Sequence, residues 1–127
     1  MTDDAMEAAG PILVVDDDPG LREIIQEALE SEGLLVDAAA DGMQALELAA
    51  RRRPSLVVLD WGLPVFDGDA VATQLRQAHG DDLRILVITA DGRAAEKARR
   101  ARAIGYLHKP FDINSLVSTV HRSLTGA

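Results

Sequence analysis

The feature that most constrains the fold of this chain is the run Leu56-Val57-Val58-Leu59, which meets the carboxylate of Asp60 and is followed at once by Trp61-Gly62-Leu63-Pro64. A short apolar run bounded by turn residues reads as a strand buried on both faces. Strands of that kind belong to parallel sheets covered by helices on either side. Asp60 then stands at the carboxyl end of a central strand, the edge of an open α/β sheet where ligands bind. An Asp that closes a strand is commonly just a turn former. Its meaning depends on what else the chain brings to that edge.

The pattern recurs along the chain. Pro11-Ile12-Leu13-Val14-Val15 runs into Asp16-Asp17-Asp18, Leu83 to Ile88 runs into Thr89, and Ile104 to His108 precedes Lys109-Pro110-Phe111. Leu34 to Ala39 is a weaker strand. Helical periodicities lie between these runs. Leu21, Ile24, Ile25, Ala28 and Leu29 share one face, stopped by Gly33. Asp41-Gly42 reads as a strand-to-helix turn before Ala45, Leu46, Leu48 and Ala49, with Arg51 to Arg53 suiting the helix C-terminus before Pro54. Val71, Leu75 and Ala78 mark a third helix. Arg93 to Ala103 is helical by propensity with almost no large apolar residues, so its buried face must be shallow. Ile113, Leu116, Val117, Val120 and Leu124 form the last stripe, with Asp112 or Asn114 as its cap.

Five strands alternating with five helices predict a parallel sheet wound on both faces with right-handed crossovers. Residues 1–10 are polar and Ala-rich and read as a flexible leader, leaving 11–125 as one domain. At 127 residues the chain is long enough for a sizeable core. The formal net charge of −8 argues against a nucleic-acid footprint, and the lack of Cys excludes disulfides and thiol chemistry. No apolar run is long enough for a membrane span, and the acidic start does not resemble a signal peptide. A cytoplasmic domain is the expectation.

The polar residues of interest close the strands: Asp16 and Asp17 the first, Asp60 the third, Thr89 the fourth, Lys109 the fifth. A parallel sheet brings all these ends to one edge. Clustered carboxylates repel one another, and a divalent cation relieves the repulsion. Oxygen donors without His or Cys favour Mg²⁺. A hydroxyl and an ammonium suit the remaining oxygens of a phosphoryl group, whose transfer depends on positioning and charge neutralisation. Asp60 is then the nucleophile and forms an aspartyl phosphate.

These residues resemble the receiver domains of two-component response regulators. The resemblance rests on Val14-Val15-Asp16-Asp17-Asp18, Asp60-Trp61-Gly62-Leu63-Pro64 with Asp67-Gly68, Thr89-Ala90 and Lys109-Pro110-Phe111, and it covers about residues 11 to 125. It implies a flavodoxin-like sheet of order 2-1-3-4-5. It also implies that Asp60 accepts a phosphoryl group from a histidine kinase or histidine phosphotransfer protein. Asp17, Asp60 and the Gly62 carbonyl would ligate Mg²⁺, with Asp16 acting through water. Thr89, the Ala90 amide and Lys109 would hold the phosphoryl oxygens, and the Lys109–Pro110 peptide would be cis. The family's switch couples Thr89 to an aromatic on the fifth strand, here Tyr106. Gly62 and Asp91 occupy the positions that tune the lifetime of the acyl phosphate.

The chain departs from the family between Thr89 and Lys109, where it is slightly shorter than usual. The helix within it, Arg93 to Ala103, carries Arg93, Lys97, Arg99, Arg100 and Arg102 against Glu96 alone. The family's output face comprises helix 4, strand 5 and helix 5, and a basic patch there suits an acidic protein partner, although a charge run is often only a solvated face. No direct nucleic-acid or membrane partner is expected, and no enzymatic turnover beyond the domain's own phosphorylation and dephosphorylation. The sequence stops just after the fifth helix, which fits either a stand-alone receiver or one from a longer regulator or hybrid kinase. The rival reading is a haloacid-dehalogenase-like phosphatase, which needs its nucleophile after the first strand and an acidic pair late in the chain. A nucleotide-binding module would need a Gly-rich phosphate loop, and none occurs.

Overall fold

The computed structural model describes residues 10–63 and 67–125. The leader, apart from Gly10, and Pro64, Val65 and Phe66 of the loop after Asp60 lie outside the described residues. The elements run β1 (Ile12–Val15), α1 (Pro19–Ser31), β2 (Val36–Ala39), α2 (Gly42–Arg51), β3 (Leu56–Asp60), α3 (Gly68–His79), β4 (Ile85–Thr89), α4 (Ala94–Ala101), β5 (Gly105–His108) and α5 (Ile113–Leu124). The strands form one parallel sheet of order β2-β1-β3-β4-β5, the flavodoxin-like order expected.

Every residue of β1, β3 and β4 is buried, which is why these segments read as unbroken apolar runs. Alternate residues feed two cores. Leu13, Val15, Val57, Leu59, Ile85 and Val87 pack under α2, α3 and α4. Ile12, Val14, Leu56, Val58, Leu86 and Ile88 pack under α1 and α5 against Ile25, Leu29, Leu116 and Val120. A fully buried Leu such as Leu29 or Leu75 contributes about 1.5–3 kcal/mol. In register, Leu13 lies beside Val57, Val58 beside Leu86, and Ile88 beside Leu107. This alignment levels the ends of β1, β3, β4 and β5 at one edge.

Asp18, Asp41, Asp67 and Asp112 cap four of the helices by accepting backbone N–H bonds. The remaining helix, α4, has Arg93 at its N-cap position and no side-chain cap. It is also the shortest helix at 8 residues and buries only Ala94, Ala98 and Ala101, the shallow face anticipated from its sequence.

Two residues assigned to buried faces are exposed. Ile24 faces solvent because Leu21, Ile25 and Leu29, spaced four apart, carry the contact of α1. Ala78 is exposed because Val71, Ala72, Leu75 and Arg76 form the buried stripe of α3. The buried Arg76 guanidinium donates to the carbonyls of Leu83 at 3.1 Å and Arg102 at 3.1 Å, and also to that of Ala101. It thereby closes the C-terminus of α4, where Arg102 adopts a left-handed conformation.

Among the described residues, no helix is long and apolar enough to cross a membrane. The basic run on α4 is largely neutralised within the molecule. Lys97 contacts Asp91 at 3.0 Å, Arg100 contacts Asp69 at 3.2 Å and Arg102 contacts Asp81 at 3.5 Å. This weakens the case for an acidic partner drawn by bulk charge.

Candidate functional site

Asp60 ends β3 just inside the molecule, 5% exposed, and the next N–H, from Trp61, continues the sheet by bonding to the Ile88 carbonyl at 2.9 Å. The chain then turns. The Gly62 N–H donates to Asp60 Oδ1 at 3.0 Å, which fixes the carboxylate and leaves Oδ2 toward the pocket. The ring and Cα of Trp61 lie so close to Gly68 that a Cβ there would come within 2.7 Å of the ring, so a glycine is needed where α3 begins.

Asp16 follows β1 and is fully buried. The Asp18 N–H donates to its Oδ1 at 2.9 Å, and the Arg22 guanidinium donates to its backbone carbonyl at 2.8 Å. Asp18 itself is occupied in capping α1, accepting from the N–H groups of Gly20 and Leu21. Asp17, between them, is exposed. One carboxylate oxygen from each of Asp16, Asp17 and Asp60 lies within 4.8 Å of the other two.

Lys109 reaches the same point from the end of β5. Its Nζ contacts Asp16 Oδ2 at 2.9 Å and Asp60 Oδ2 at 3.3 Å. The Lys109 N–H donates to the Thr89 carbonyl at 2.7 Å, and the Lys109–Pro110 peptide is cis. Thr89 is buried, and its Oγ1 accepts from the Asp91 N–H at 3.1 Å. The structure thus brings together Asp16, Asp17, Asp60 and Lys109, with Thr89 two strand ends from β1.

Burial pushes the Asp60 carboxyl above its ordinary value. The Gly62 N–H opposes that rise, the charge of Asp16 adds to it, and Lys109 counters it. Burial alone would lower Lys109, yet its contacts with Asp16 and then Asp60 raise it, so it stays a firm cation. Asp16 Oδ2 is the one buried side-chain oxygen among the described residues without a directed hydrogen bond; only the ammonium charge faces it. A buried, under-satisfied carboxylate oxygen beside two more carboxylates suits a hard divalent cation.

The remaining expected residues lie near this edge without joining the cluster. Tyr106 pairs in register with Val87 and so stands on the same sheet face as Thr89, two positions back along the strand. The residue is 48% exposed and borders a cavity of about 580 Å³ with Ile104, Thr119 and Arg122. Asp91 is exposed on the loop between β4 and α4. Its Oδ1 accepts from the Arg93 N–H at 2.8 Å while Oδ2 meets Lys97. Periodicity missed Lys97 and Arg22, because each acts on a loop residue outside its own helix. Arg76 did carry a signal, since it continues the four-residue spacing of Gly68 and Ala72 on the buried stripe.

The sequence matches the model of the response regulator receiver domain over residues 12–121. It is 44% identical over 115 residues to the response regulator MprA of Mycobacterium sp. (strain KMS), covering 89% of this chain and 50% of that one. The corresponding protein of Mycobacterium leprae is also 44% identical. The chain therefore spans about half the length of these relatives. Among solved structures, chemotaxis protein CheY4 of Vibrio cholerae superposes with a TM-score of 0.82 at 31% identity, covering 90% of this chain and 98% of that one. NtrX of Brucella abortus, in a complex with ATP, gives 0.85 at 32% identity, covering 93% of this chain and 27% of that one. Nothing in the fold or the comparisons supports a haloacid-dehalogenase-like phosphatase, and Asp60 follows the third strand rather than the first. With the sheet order, the acidic cluster and the matched sequence in agreement, this chain belongs to the response regulator receiver domain family.

Proposed function

We propose that Asp60 is the phosphoryl acceptor of a two-component relay, charged by a histidine kinase or histidine phosphotransfer protein. The observation that supports this most strongly is the buried contact of Lys109 Nζ with both Asp16 Oδ2 and Asp60 Oδ2, next to Asp17. Asp60 Oδ2 attacks phosphorus, the bond from phosphorus to the donor nitrogen breaks, and the electron pair leaves with the histidine. Asp16, Asp17, Asp60 and the Gly62 carbonyl would hold Mg²⁺, which neutralises the carboxylates and the incoming phosphoryl oxygens when bound. Lys109 offers its ammonium to one phosphoryl oxygen. Thr89 exchanges the Asp91 N–H it now accepts for a bond donated to another, beside the Ala90 amide.

That movement of Thr89 is the start of the switch, with Tyr106 on the same sheet face as its follower. The signal leaves through α4, β5 and α5, where Ile104 and Tyr106 are exposed to a protein partner. Residues 11–125 make up this receiver, with 1–10 as a leader, and the working compartment is the cytoplasm, where kinases of this kind present their phosphohistidine. Gly62 and Asp91 set the lifetime of the acyl phosphate, and no turnover of other substrates is expected. The test is intact-mass measurement after acetyl phosphate treatment with and without Mg²⁺. Wild type should gain one phosphoryl group only with the cation, and Asp60→Asn should gain none. Equal labelling of the variant, or sustained cleavage of a chromogenic phosphate ester, would reject the reading.

A further inference from the structure

Asp91 belongs to the loop that carries Thr89, and its N–H is bonded to the Thr89 hydroxyl at 3.1 Å. Its carboxylate is turned the other way. Oδ1 accepts from the Arg93 N–H at 2.8 Å and Oδ2 contacts Lys97 Nζ at 3.0 Å. Lys97 lies in the first half of α4, and its side chain is 21% exposed against 49% for Asp91, so the ammonium is the more fixed partner. Because α4 has no side-chain cap, these two contacts are what the loop offers the start of the helix. The Lys97 contact and then the Arg93 N–H hold the Asp91 carboxyl below its ordinary value, which makes it a poorer base.

Resting on Asp60 as the acceptor, we infer that Lys97 is a positioning residue that prolongs the acyl phosphate by holding the Asp91 carboxylate against α4, away from the attacking water. In the hydrolysis it restrains, the oxygen of water bonds to phosphorus and the bond from phosphorus to the Asp60 oxygen breaks. The electron pair returns to the Asp60 carboxylate, and inorganic phosphate departs. The proton released by water passes to Asp91 when that carboxylate is free, and from there to solvent. Both partners touch solvent, so the restraint is modest. Losing it should speed decay roughly two- to fivefold.

The test compares decay of the phosphorylated protein, followed by intact mass after acetyl phosphate and Mg²⁺ loading and removal of the donor. Lys97→Met and Lys97→Gln should decay two- to fivefold faster than wild type, while Lys97→Arg should restore the wild-type rate. Adding Lys97→Met to Asp91→Asn should leave the decay rate of Asp91→Asn unchanged. Raising ionic strength should hasten decay of wild type but not of Asp91→Asn, a response that a merely structural role would not produce. Wild-type rates in both Lys97→Met and Lys97→Gln, or acceleration that persists without the Asp91 carboxylate, would overturn the role of Lys97 and leave Asp60 as acceptor intact. Folded wild type that takes up no phosphoryl group would overturn both.

Discussion

Replacing Asp60 with Asn should stabilise the protein at neutral pH when divalent cations are chelated, although it removes the proposed phosphoryl acceptor. At an effective dielectric constant of about 20, Lys109 at 3.3 Å attracts an ionised Asp60 by about 5 kcal/mol, while Asp16, within 4.8 Å, repels it by about 3.5 kcal/mol. Asp17 is exposed and adds about 1 kcal/mol of repulsion. The charges therefore nearly cancel, and desolvation of a carboxylate 5% exposed decides the balance. The Gly62 N–H offsets part of that cost, and Asn keeps an oxygen to accept it. The net gain for Asp60→Asn is about 1–3 kcal/mol. In thermal unfolding each kcal/mol is worth roughly 3–5 °C for a domain of this size.

The pH dependence follows from the upward shift of the Asp60 carboxyl from its ordinary 3.8, caused chiefly by burial. Between 3.8 and the higher folded value, the native state holds a proton that the unfolded chain has released. Wild-type stability therefore falls as pH rises through that window, and the full cost is present above it. The advantage of Asp60→Asn should be widest at neutral pH and shrink on acidification toward 3.8. Mg²⁺ should narrow the gap by favouring wild type, with about 1.4 kcal/mol at ten times its dissociation constant. Circular dichroism melts at several pH values, in chelator and in Mg²⁺, measure all three effects. A variant less stable than wild type in chelator, or an advantage that grows on acidification, would refute the reasoning.

Arg76→Met should destabilise the fold by about 3 kcal/mol, read from urea unfolding, because it strands the buried carbonyls of Leu83 and Ala101 and the part-buried one of Arg102; a loss below about 1 kcal/mol would show that water replaces the clamp. Gly68→Ala should cost about 1–3 kcal/mol and shift the Trp61 emission, since the new Cβ would lie 2.7 Å from the ring; unchanged emission and stability would contradict the contact. Trp61, the only Trp, adjoins Asp60, so its fluorescence should change with Mg²⁺ and again with acetyl phosphate or a beryllium fluoride analogue. Asp60→Asn should abolish the second change, and a full response in that variant would remove Asp60 from its role.

The sheet was legible because Ile12–Val15, Leu56–Asp60 and Ile85–Thr89 are buried on both faces, a state only an apolar run satisfies. Their terminal polar residues were legible for the same reason, since a carboxylate ending such a run must stand at the sheet edge. Strand starts were less so. Leu83 and Leu34 extend the apolar pattern but lie before the first ladder residues, Ile85 and Val36. The faces of α1 and α3 were misjudged at Ile24 and Ala78, where a hydrophobic side chain fits the helical period roughly but misses the contact stripe. The roles of Arg76 and Lys97 depend on carbonyls and a carboxylate brought in from other elements, which no local pattern encodes. The basic appearance of α4 dissolved for the same reason, as Asp69, Asp81 and Asp91 reach it from outside the helix.

Everything assigned to this edge depends on a phosphoryl group becoming bonded to Asp60 and to no other carboxylate. Asp16 and Asp17 lie within 4.8 Å of it, and Asp67 caps the next helix, so the alternatives are specific. Borohydride reduction of the protein after loading with acetyl phosphate and Mg²⁺ converts an acyl phosphate to an alcohol, and peptide mass mapping then locates it. Homoserine at position 60 alone is the expected result. Homoserine at position 16, 17 or 67, with Asp60 intact, would contradict the account.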